Sequence, residues 1–155
     1  MTSQIMSNMS RALHSMEGSH LVPGWDPHDE RALSTDDHIR SVRERFQDWN
    51  CERFGNKMVA FRGRFSPTET STEYDIIVLY KMCHFPQVAI LEPEIREDAP
   101  HRWPDGTLCL FDTRVPEWDP SKSLGEYIFP WIAEWLLLYE LWRETGVWHG
   151  PEADE

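Results

Sequence analysis

The chain has 155 residues, 40% of them hydrophobic, with 15 Lys and Arg against 27 Asp and Glu and a formal charge of −12 at pH 7. A domain of that length buries about 70% of the surface its unfolded chain exposes, so a core rich in Trp and Phe can form without disulfide or metal staples. Too few cations remain to displace counterions from a phosphate backbone, which excludes a surface that tracks DNA or RNA; the acid excess serves solubility or steers basic protein partners.

Residues 1–20 are rich in Ser and Met, with Ile5, Met9, Leu13 and Met16 at helical spacing. So short a helix is marginal alone, and the segment reads as a frayed tail, or as a helix that docks onto a partner. "LVPGWDPHDE" (21–30) has the prolines, glycine and acids of a linker. From Ser34 or Thr35 as N-cap, with acids in the first turn and Ile39, Val42, Phe46 and Trp49 on one face, a helix is predicted over 35–50. "KMVAFRGRF", "EYDIIVLY" and "QVAIL" are β-rich runs separated by polar turns and read as antiparallel strands of a three- or four-stranded meander. Cys51 is expected at a helix end and Cys83 at a strand end.

After a turn-rich stretch, "LGEYIFPWIAEWLLLYELWRETG" (124–146) is predicted helical. Pro130 either kinks it or occupies the first turn of its main segment, and Gly146 is placed to end it. Helix, meander, irregular cysteine-bearing segment and long helix make an α+β domain with a helix packed on one sheet face. The organisation expected is an extension and linker over 1–30, a folded domain over 31–150 and an acidic tail over 151–155. The apolar runs "WLLLY" and "YIFPWIA" are too short and interrupted to span a bilayer, and the first twenty residues lack a continuous apolar stretch. Three cysteines without a CxxC pair point to a reducing compartment, so a cytoplasmic protein with no membrane partner is expected.

"HRWPDGTLCLFD" (101–112) holds Cys109 just after an Asp-Gly turn. A thiol with ordinary pKa near ~8.5 is already a few per cent thiolate at neutral pH and strongly nucleophilic. Flanking Pro104 and Pro116 favour an irregular segment that leaves such a thiol at a groove. Equally, "LCLF" fits a buried strand in which Cys is a small hydrophobe. A metal site from Cys83, His84, His101 and Cys109 lacks the spacing of structural zinc ligands, so no metal and no other cofactor is expected.

The order of features around Cys109 resembles a ubiquitin-conjugating enzyme domain. "FPQVAI", "APHRWPDGTLCL" and "EWDPSKSL" stand where that family has a Pro-rich strand exit, His-Pro-Asn followed by Gly-x-Ile-Cys-Leu, and Trp-x-Pro leading into a helix. Gly106, Cys109 and Leu110 match the cysteine motif; Pro100, Trp118 and Pro120 match its flanks. The ending "PWIAEWLLLYELWRETGVWHGPE" is similar to the bacterial ubiquitin-conjugating-like proteins of type II CBASS antiphage operons, and without a Gly-rich ATP motif the chain looks like the stand-alone, short type.

That resemblance implies a ubiquitin-conjugating-like fold with a four-stranded meander. It also implies an acyltransferase whose Cys109 forms a thioester with the C-terminus of a cGAS-like nucleotidyltransferase (CD-NTase) and passes it to an amine, with target proteins bearing acceptor lysines as further partners. A non-catalytic module that binds the nucleotidyltransferase is the alternative. His101 takes the seat of the family's Asn, to brace the loop, donate to an oxyanion or accept a proton from the incoming amine. Asp105 and Asp112 lie close enough in sequence to orient that amine, although acids beside turns usually cap them. Trp103 and Arg102 are candidates for the groove that holds the partner's tail, while Trp118 matches a structural tryptophan.

Overall fold

In the computed structural model of the chain, residues 18–112, 114 and 117–150 are described. The helical spacing of Ile5 to Met16 and the acidic tail 151–155 lie outside the described residues.

Helix α1, Thr35–Arg45, starts as predicted. Ser34 Oγ accepts the Asp37 amide (3.1 Å), and the Asp37 carboxylate accepts the Ser34 amide (3.4 Å), a reciprocal cap that satisfies two otherwise orphaned N–H groups. The helix stops short of the predicted residue 50, because Phe46 leaves helical geometry (φ −134°, ψ 69°). Phe46 and Trp49 keep the apolar rhythm but serve another purpose. Their rings pack on Phe129, with centroids 5.1 and 4.8 Å away. Trp49 also lies flat on the sheet at Gly63, where a Cβ would come within 2.3 Å of the indole.

The chain then enters an antiparallel sheet of β1 (Asn50–Phe54), β2 (Met58–Phe65), β3 (Tyr74–Lys81) and β4 (Gln87–Glu92), ordered β1-β2-β3-β4. The meander therefore has four strands. The first one is a mostly exposed edge strand, which is why it shows no apolar alternation. Cys51 belongs to it, opposite Phe61, and not to a helix end. Cys83 follows β3 with φ 63°. Val59, Phe61, Ile76, Val78, Tyr80 and Val88 face the main core, and Ile77, Ala89 and Leu91 form a smaller cluster of their own. The central β3 is buried along nearly its whole length, so it reads as a continuous hydrophobic run.

A π-helical turn, Leu124–Ile128, leads into helix α2, Phe129–Thr145. Pro130 sits in the first turn of α2, where its missing N–H costs nothing, and Gly146 ends the helix in the left-handed conformation (φ 77°). Phe129, Ile132, Trp135, Leu136 and Tyr139 bury one face of α2 in the core. The two helical segments touch backbone to backbone. A Cβ on Gly125 would lie 2.3 Å from the Ser41 carbonyl, the Gly125 amide donates to Ser41 Oγ (3.0 Å), and the Leu124 amide donates to His38 Nδ1 (3.2 Å).

The segment before α1 folds back on the domain. Val22 donates its amide to the Cys83 carbonyl (2.8 Å), and Phe85 donates its own to His20 (2.9 Å). Among the described residues no helix is long and apolar enough to cross a membrane.

Candidate active site

The stretch around Cys109 is a tight hairpin fastened to the sheet. Arg102 and Leu108 form an antiparallel bridge; the Trp103 amide donates to Thr107 (2.9 Å), the Gly106 amide donates to Trp103 (2.8 Å), and Gly106 takes φ 92°. Asp105 closes the turn: its Oδ1 accepts both the amide (2.9 Å) and the hydroxyl (2.7 Å) of Thr107. The Leu108 amide donates to Val88 (2.9 Å), which ties the hairpin to β4.

Beyond the bridge, the hairpin brings Cys109 beside His101. The Cys109 amide donates to the His101 carbonyl across 2.9 Å, and the indole N–H of Trp135 donates to the same oxygen across 3.0 Å. Both lone pairs of that buried carbonyl are satisfied. His101 adopts φ 58°, a left-handed conformation that costs an L-residue of order 1 kcal/mol and persists only where the surroundings impose it. Its imidazole lies against the indole of Trp148, centroids 4.8 Å apart, and Trp148 packs in turn on Trp135 at 5.4 Å.

The Cys109 thiol donates to the Phe111 carbonyl (3.5 Å). Cys109 is 4% exposed and His101 8%. A wall of rings, Phe85, Phe111 and Trp131, continues from the cysteine, with centroid separations of 5.9 and 5.5 Å.

The other residues singled out by sequence are placed as follows. Arg102 braces the hairpin, with Nε donating to the Gly106 carbonyl (3.3 Å) and a terminal nitrogen donating to the Arg96 carbonyl (3.1 Å). Trp103 lines a groove of about 570 Å³ between the hairpin tip, Phe85 to Gln87 and the segment Gly18 to Pro23. Asp112 accepts the Arg114 amide (2.9 Å) and its guanidinium (3.1 Å on each oxygen), and these bonds hold the carboxyl below the usual carboxylate range. As placed, Asp105 and Asp112 are engaged with their own loops. Trp118 is core, edge-on to Tyr80 at 6.0 Å. Of the residues in the metal-site reading, His84 Nδ1 pairs with Ser19 Oγ (2.8 Å), and no group of three His, Cys, Asp or Glu that could hold a metal ion lies among the described residues.

A family model described as type II CBASS E2 protein matches residues 38–155. The chain belongs to the type II CBASS E2 family. The match runs from inside α1 through the hairpin to the end of the chain, so the Cys109 loop and its tryptophan supports all fall within the family segment. The expected family and the ubiquitin-conjugating-like α+β fold are both borne out, and the protein has an E2-like role in CBASS. Comparison with curated proteins finds no match.

Trp135 and Trp148 were not among the residues the sequence pointed to. On sequence alone Trp135 is one apolar residue among many in a helix that is apolar nearly all round. The clue to Trp148 is positional: a large aromatic two residues beyond a helix-ending glycine has to be packed against something.

Proposed function

We propose that Cys109 is the nucleophile of an E2-like acyl transfer, taking an activated acyl group from the C-terminus of a cGAS-like nucleotidyltransferase partner as a thioester and passing it to an amine. The observation that carries this reading is the 2.9 Å bond from the Cys109 amide to the His101 carbonyl, which sets the cysteine of the family motif next to the residue in the Asn seat. The Cys109 thiolate adds to the acyl carbon, the oxyanion collapses and the activating group departs with the electron pair. An amine then adds to the thioester carbon, loses a proton and expels the thiolate. In this reading His101 serves as an oxyanion donor or as the acceptor of the amine's proton.

The 4% exposure of Cys109 favours a second reading, a module that binds the nucleotidyltransferase without chemistry. The two separate by intact mass after mixing with the purified nucleotidyltransferase and a supplied activating enzyme. Under the first, wild type forms an adduct that thiol reductant removes, Cys109→Ala forms none and Cys109→Ser traps a reductant-resistant ester. Under the second, no adduct forms and Cys109→Ala protects cells from phage as well as wild type does.

A further inference from the structure

The geometry points to Trp148 as a positioning residue for the imidazole of His101, which makes the strap after α2 part of the active site. This rests on the reading of Cys109 and His101 as the transfer pair.

The strap is built, not trailing. Gly146 reverses the chain in the left-handed conformation and donates its amide to Trp142 (2.7 Å); Thr145 Oγ1 donates to the Leu141 carbonyl (2.8 Å) and accepts the Val147 amide (3.1 Å). Gly150 lies so close to α2 that a Cβ there would be 2.4 Å from a methyl of Leu138 and 3.2 Å from the Trp148 indole nitrogen. Trp148 is thereby laid over the hairpin, with the imidazole of His101 at 4.8 Å and the indole of Trp135 at 5.4 Å.

Two tryptophans from different elements thus hold one residue by its two ends. Trp135 takes the main-chain carbonyl, while Trp148 takes the ring. The division has a chemical consequence. The carbonyl bond fixes where the Cα of His101 sits but does not set the broad terminal torsion of its ring. The indole of Trp148, tilted 40° to the imidazole at 4.8 Å, restricts that torsion and lies within cation–π range of a ring that gains positive charge during transfer. A misplaced catalytic group can cost about a hundredfold in rate, so restraint of the ring is worth a comparable fraction of whatever His101 contributes.

The test is a mutant cycle read on two single-turnover rates, thioester formation with the nucleotidyltransferase and discharge to free lysine. Trp148→Leu should slow discharge about tenfold or more, and Trp148→Phe, which keeps an aromatic face, should restore most of that loss. In a His101→Asn background, which tolerates the left-handed backbone but offers no imidazole, Trp148→Leu should cost nothing further. Equal losses in both backgrounds, or a Phe variant as slow as the Leu variant, overturn the inference while leaving the transfer reading intact. Absence of any Cys109-dependent thioester in wild type overturns both.

Discussion

Trp135 and Cys109 converge on one atom: the indole N–H of the first and the amide N–H of the second both donate to the His101 carbonyl, at 3.0 and 2.9 Å. A long helix and a hairpin are joined at that oxygen, so the position of the candidate nucleophile depends on how α2 is seated on the sheet. Trp135→Phe keeps the aromatic packing and removes the donor. It should lower stability by about 1–2 kcal/mol, the cost of a half-satisfied buried carbonyl, as read by urea denaturation. Adduct formation at Cys109 should slow as well.

Asp105 shapes the other end of the hairpin through two bonds to Thr107. Replacing it by Ala should cost about 1 kcal/mol, while Asp105→Asn, which retains an acceptor oxygen, should cost less. Thermal unfolding of the pair measures the difference. A role confined to the turn predicts that the Asn variant transfers the acyl group at the wild-type rate.

His38 governs acid stability. It is fully buried under Tyr80, whose ring centroid lies 4.7 Å away, and burial pushes its pKa down from 6.5 to about 4, with Asp37 and the Pro120 carbonyl opposing weakly. Well above pH 6.5 the ring is neutral in both folded and unfolded chains and contributes no pH dependence. As pH falls from 6.5 to about 4 the unfolded chain takes up the proton first. Folding stability therefore drops across that window, by about 3 kcal/mol at 1.36 kcal/mol per unit. His38→Asn keeps an acceptor for the Leu124 amide and should flatten the stability profile between pH 6.5 and 4 in urea titrations.

Gly125 is where the backbones of α1 and the start of the C-terminal helical segment come into contact. The Cβ of Gly125→Ala would fall 2.3 Å from the Ser41 carbonyl oxygen, a backbone atom that cannot rotate away. Separation of the two segments should cost about 1–3 kcal/mol, detected as a lower midpoint in denaturant. Ser41→Ala, which removes only the 3.0 Å bond to the Gly125 amide, should cost less.

Local sequence carried those features whose causes are local. The cap at Ser34 or Thr35, the start of α1, β2 to β4 and the Gly146 stop depend on residues within a turn or two of one another and were legible, while the structure chose Ser34 for the cap and the first-turn seat over a kink for Pro130. The end of α1 was not, because Phe46 and Trp49 continue the helical spacing while the C-terminal helix, far away in sequence, claims their rings. Strand β1 escaped for a related reason: an exposed edge strand has no apolar face to alternate.

The candidate site divides along the same line. By itself the sequence determined the order of the residues around Cys109 and the Asp-Gly turn before it, since these are matters of identity and spacing. Only the tertiary structure decided that the His101 carbonyl is held from both sides, that Trp148 covers its ring and that Cys109 is nearly buried. Those contacts join residues up to 47 positions apart, as from His101 to Trp148, and no local propensity encodes them. Packing of α2 and its strap on the hairpin does.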